Sequence, residues 1–119
     1  MIQIEELGKA IAQLTWNRHE HTPDPNPELV AGIYRSLQVD RALLMETEPE
    51  ELRARLDGDD KAGLQRMELA AKTLLEESYL VTTNEGALLR SKAKELLAFV
   101  QQNDTTFSLE RMALLADKE

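Results

Sequence analysis

Cysteine is absent from this chain of 119 residues, so disulfide staples, thiolate metal sites and cysteine nucleophiles are all excluded. Aromatic residues are scarce, at 4%, and valine and isoleucine are few. Strands need β-branched and aromatic side chains to cover a pleated surface, and there is little such material here. Basic charge is also in deficit, with 14 lysines and arginines against 22 acids and a formal charge of −8. An acidic surface repels phosphate backbones and anionic lipid, which argues against nucleic acid and membrane as partners. No apolar run approaches the ~20 residues of a membrane span. The opening Met1-Ile2-Gln3-Ile4-Glu5-Glu6 lacks the basic start and apolar run of a secretory signal. The expectation is a soluble, cytoplasmic protein.

What is abundant is helix-forming: Leu, Ala, Glu, Lys, Arg and Gln dominate the sequence, each with little rotamer freedom to lose in a helix. The length suits a single domain over residues 1–119. The expected fold is all-α, about six helices in a compact array around one central antiparallel αα-hairpin. That hairpin is read from two stripes. Leu64, Met67, Ala71, Leu74 and Ser78 recur at spacings of three and four, and so do Leu89, Ala93, Leu96 and Val100, with Leu97 widening the second stripe. Such spacing marks helices with one buried face. The spacing predicts helices over roughly 60–81 and 84–102, meeting at Thr82-Thr83-Asn84-Glu85-Gly86, and so short a connection makes them antiparallel neighbours.

Around the hairpin, a first helix from about Ile2 to His19 carries Ile4, Leu7, Ile11 and Leu14 on one stripe, with Gly8 inside it and Trp16 near its end. Three of the four prolines then fall at Pro23, Pro25 and Pro27. Residues 22–27 therefore read as a semi-rigid linker. Asn26 and Pro27 open a helix with Leu29, Val30, Ile33, Tyr34 and Leu37 on its inner side. Asp40 caps a short apolar run, Ala42 to Met45, and Thr47-Glu48-Pro49 starts another short helix with Leu52 and Leu56 inward. Gly58 ends that helix, and Asp59 or Asp60 is expected to cap the first arm of the hairpin. Ser108 caps a last helix, in which Leu109, Met112, Leu115 and Ala116 face the hairpin and Phe107 staples to Met112.

Chemistry is thinly signalled. His19, His21 and Asp24 form the one cluster that resembles metal ligands, since imidazole and carboxylate suit zinc or nickel. An H-x-H pair points one way only on an extended chain, because on a helix the two rings stand about 200° apart. A closed site would also need a fourth ligand. No metal or cofactor is therefore expected, with His19, His21 and Asp24 as weak candidates for a metal site. Asp57-Gly58-Asp59-Asp60 fails as a calcium loop, because position six would be Ala62 and the closing position Glu68, inside a helix. Glu50-Glu51 and Glu76-Glu77 are neighbours about 100° apart on a helix, unsuited to acid–base pairing on one face. Glu68, Lys72 and Glu76 at successive i+4 steps read as a salt-bridged solvent stripe. No serine elbow or phosphate-cradling glycine loop occurs, so no catalytic residue is assigned.

Ala71-Lys72-Thr73-Leu74-Leu75 followed by Lys92-Ala93-Lys94-Glu95-Leu96-Leu97 resembles the helix pair of a tetratricopeptide repeat. Together with Tyr34-Arg35-Ser36-Leu37, Asp40-Arg41-Ala42-Leu43-Leu44 and Thr106-Phe107-Ser108-Leu109-Glu110-Arg111, the run from Ile33 onward is similar to a family of uncharacterised bacterial proteins with tetratricopeptide-like folds. The resemblance implies a helical scaffold that binds another protein or peptide, without catalysis. It carries over no site residues. Only one repeat-like hairpin is present, and Leu74 and Arg90 stand where that repeat has large aromatics. The two other functional expectations are a metal-dependent or auxiliary enzyme site at His19-Glu20-His21 and a structural, self-associating domain.

Overall fold

The computed structural model describes residues 8, 9, 11, 12, 27–58, 62–104 and 109–116. Among these there are no strands, and six helices of six residues or more: α1 (Pro27–Leu37), α2 (Arg41–Glu46), α3 (Pro49–Leu56), α4 (Gly63–Glu77), α5 (Thr83–Asn103) and α6 (Leu109–Ala116). The protein is all-α. At a rise of 1.5 Å per residue, α5 is about 32 Å long, most of the molecule's longest dimension of 39 Å.

The two periodic stripes make the centre. Met67, Ala70, Ala71 and Leu74 of α4 and Ala93, Leu96 and Leu97 of α5 are fully buried, with Leu89 and Val100 almost so. Alanines at three of these positions keep the helix surfaces low where the two arms meet, and the pair packs along its length. The other elements cover this hairpin. α1 and α3 lie on α4, α3 also touches α5, and α6 rests on α5. α1 contributes Val30, Ile33, Tyr34 and Leu37, α3 contributes Leu52 and Leu56, and Ile11 joins the same core cluster from the first helical stretch.

Helix boundaries follow local chemistry, and four of them depart from expectation. α4 starts at Gly63 with Ala62 in the cap position. Its cap comes from a distance, because the Gly63 N–H donates to Asp57 Oδ1 at 2.8 Å, whereas Asp59 and Asp60 lie outside the described residues. A Cβ at Gly63 would sit 2.6 Å from the Arg53 carbonyl oxygen, so glycine is what lets α3's last turn reach the start of α4. The hairpin connection is Ser78–Thr82, four residues earlier than the stretch where the stripes were expected to meet. Thr82 caps α5 by accepting from the Glu85 N–H, and Gly86 is helical. The Ser78 carbonyl approaches to 2.6 Å of where a Gly86 Cβ would stand. Thr47 closes α2 through its N–H to the Leu43 carbonyl instead of opening α3. α3 begins after Glu48, with Pro49 in its first turn and no side-chain cap. Asp40, by contrast, caps α2 as expected, Oδ1 accepting from the Leu43 N–H at 2.8 Å.

The last helix is rotated from its expected register. Met112 is 43% exposed and Arg111 only 2%, with Leu114 and Leu115 partly buried against the core. The inward face is therefore 111, 114 and 115. Arg111 dictates it, donating from Nη2 to Asp104 Oδ2 at 2.9 Å and standing 3.5 Å from Glu68 Oε1. Phe107 and Ser108 lie outside the described residues, as do Trp16 and the linker 22–26.

Candidate functional surface

The weak metal candidates His19, His21 and Asp24 lie outside the described residues. Among those described, no group of three or more histidines, cysteines or acids is placed to hold a metal ion. Of the adjacent acids, Glu50 and Glu51 are exposed, whereas Glu76 is buried. Glu77 accepts from the Tyr34 hydroxyl at 2.6 Å.

Glu77 belongs to a chain of polar contacts that joins four helices. Arg41 of α2 stands 3.5 Å from Glu77 Oε2 of α4 and 3.3 Å from Glu85 Oε1 of α5, while Tyr34 reaches the same carboxylate from α1. Burial and the hydrogen bond to Glu77 push the Tyr34 phenol far above its ordinary value. Its proton is therefore held, and the group tethers α1 to the end of the hairpin. It is a structural contact with no acid–base role near neutral pH.

The stripe Glu68, Lys72, Glu76 is a second correction. Lys72 Nζ does pair with Glu68 Oε2 at 3.0 Å, but Glu68 and Lys72 are four-fifths covered and Glu76 is buried. At one end of the stripe Glu68 meets Arg111 of α6. A sequence read by period alone assigns charged residues to water. Here opposite charges on α4 and α6 meet and allow partial burial.

The hairpin end carries three of the four exposed large apolar side chains among the described residues, the fourth being Met112 of α6. Tyr79 and Leu80 in the α4–α5 connection are 40% and 39% exposed, and Leu88, in the second turn of α5, is 63% exposed. Leu88 is the one large apolar residue among the exposed positions of α5. Tyr79 lies outside the core because the chain leaves α4 at Ser78, just before it. Its ring is held under the Arg90 guanidinium, 5.6 Å from the centroid, and Arg90 Nη1 also reaches Ser78 Oγ at 3.3 Å. A tyrosine held by a cation is a semi-rigid contact with little rotamer freedom left to lose on binding.

Compared with protein-family models, curated proteins and solved structures, the chain gives no match. No helix among the described residues is long and apolar enough to cross a membrane.

Proposed function

We propose that the protein is a small helical interaction module that binds a protein or peptide segment without catalysis, using the α4–α5 end of its hairpin. The observation that carries this reading is the placement of Tyr79, Leu80 and Leu88, three large exposed side chains within ten residues, on a hairpin that buries Leu74, Leu89, Leu96 and Leu97. Aromatic and aliphatic anchors at a rigid site are what peptide grooves and protein interfaces use for affinity. The likeness of 71–75 and 92–97 to a tetratricopeptide helix pair points the same way, toward a scaffold that presents a surface. With a formal charge of −8, the favoured partner is an apolar segment flanked by basic residues, because complementary charge speeds encounter and suppresses wrong partners. The same charge disfavours nucleic acid and anionic membranes.

Selection from a displayed peptide library on the full chain tests this, with counter-selection on a Tyr79→Ser/Leu88→Ser variant of unchanged melting temperature. The expected outcome is a family of apolar–basic peptides retained by the wild type and lost by the variant. Failure to enrich any peptide, or enrichment that ignores the double substitution, would overturn the proposed site.

A further inference from the structure

A cleft of about 210 Å³ lies between the end of α1 and the end of α3, lined by Leu37, Gln38, Val39, Arg55 and Leu56. Its chemistry is two-sided. Leu37 and Leu56 are buried at 3% and 4% exposure and form an apolar floor with the partly covered Val39. Arg55 stands exposed at the rim, and its side chain makes no hydrogen bond or ion pair among the described residues. The two acids that adjoin the lining residues in sequence are occupied elsewhere: Asp57, beside Leu56, accepts through Oδ1 from the Gly63 N–H, and Asp40, beside Val39, accepts through Oδ1 from the Leu43 N–H. Glu51, one turn before Arg55 on α3, forms no pair with it.

The rim opposite is unusual in its backbone. Gln38 has φ of 62°, the one positive φ outside glycine among the described residues. It ends α1 in a Schellman arrangement, with Val39 N–H donating to the Tyr34 carbonyl and Gln38 N–H to the Arg35 carbonyl, both at 3.0 Å. Glycine serves this position at no steric cost, and glutamine does not. The strain places a carboxamide, donor and acceptor both, on the wall of the cleft. Strained non-glycine positions concentrate where a side chain is needed.

We propose that this cleft binds a carboxylate carrying a short apolar chain, with the chain on Leu37, Val39 and Leu56 and the carboxylate on the Arg55 guanidinium and the Gln38 amide. A planar guanidinium matches a carboxylate in a forked geometry. The volume is below the 300–1,000 Å³ of drug-sized sites, which suits one short side chain or acyl tail. The site is separate from the hairpin end and does not depend on the function proposed there.

The test titrates the full isotope-labelled chain with 4-methylpentanoate, 4-methylpentanol, and two short peptides ending in leucine, one with a free carboxylate and one amidated. The acid is expected to shift the amides of Leu37 to Val39 and Arg55 to Leu56, saturating with a Kd of about 1 mM, the order that eight non-hydrogen atoms support. The alcohol and the amidated peptide are expected to bind at least about tenfold more weakly, the equivalent of one charged hydrogen bond. Arg55→Leu is expected to abolish the difference between acid and alcohol, and Arg55→Lys to restore part of it. Shifts from the free-acid peptide would assign the natural ligand to a chain terminus, and their absence beside a binding small acid would assign it to a free metabolite; both uphold the carboxylate chemistry. Equal binding of acid and alcohol, or no saturable shift with any probe, would overturn it. Arg55 is exposed, so its variants keep the fold, and an unchanged melting temperature verifies this.

Discussion

At the scale of single residues, Gln38 and Tyr34 show how one side chain can fix an element's end. Gln38 occupies a left-handed position with no compensating side-chain hydrogen bond described, so Gln38→Gly should raise stability by about 1 kcal/mol, read as a higher denaturant midpoint with unchanged slope. Tyr34 makes a pH prediction. The folded state holds its proton more tightly than the unfolded chain does, because of burial and the bond to Glu77. The associated stability is complete below the ordinary tyrosine value of ~10 and declines as pH rises beyond it. Denaturant midpoints should therefore fall above that pH in the wild type, and the phenolate of Tyr34 should appear only with unfolding. In Tyr34→Phe the protein should be weaker at neutral pH, having lost the tether to Glu77, and should lack this alkaline decline. Neither residue's role was legible in the sequence. A glutamine at a helix end carries no signal that it adopts positive φ. A tyrosine on an apolar stripe gives its burial, which was correctly expected, but not the carboxylate 43 residues away that receives its proton.

At the scale of elements, the hairpin arms were legible because apolar spacing of three and four reports directly on a buried face. Leu64 to Leu74 and Leu89 to Val100 fall inside α4 and α5, and Ser78 caps the end of α4. The inner faces of α1 and α3 were legible for the same reason. Their junctions were less so. Where a helix begins depends on which distant group satisfies its first N–H, and for α4 that is Asp57 on the preceding element, not an adjacent acid. The register of α6 was misread because an apolar methionine outranks an arginine when hydrophobicity alone is scored. Arg111 goes inward because α4 and the end of α5 supply Glu68 and Asp104. The pairing makes α6 conditional on charge. Removing one partner leaves Arg111 covered and undercompensated, so Glu68→Gln should destabilise the protein by about 2–4 kcal/mol, less than in a fully dry site. Replacing Glu68, Asp104 and Arg111 together by methionine and leucine should recover most of that loss. Thermal melts of the single and combined variants separate the two outcomes.

At the scale of the whole molecule, an isolated helical hairpin leaves both of its faces uncovered, and here α1 and α3 cover one arm while α6 covers part of the other. Among the described residues, the end where the arms join carries the exposed Tyr79, Leu80 and Leu88. Sequence could not point to this end, because an exposed leucine and a buried one look alike until the helix faces are assigned. Leu88 differs from Leu89 only by 100° of rotation. The weak metal candidates of the sequence, His19, His21 and Asp24, lie outside the described residues. Elemental analysis of protein purified without a histidine tag bears on it independently.

The most direct measurement is to follow backbone amide resonances of the full chain while adding an apolar–basic peptide selected on it. A module that binds through the hairpin end gives its largest saturable changes at Tyr79, Leu80, Leu88 and Arg90, with α6 and the core positions Ala93 to Val100 little affected. Saturable changes centred on any other surface, leaving residues 79–90 unmoved, would contradict it.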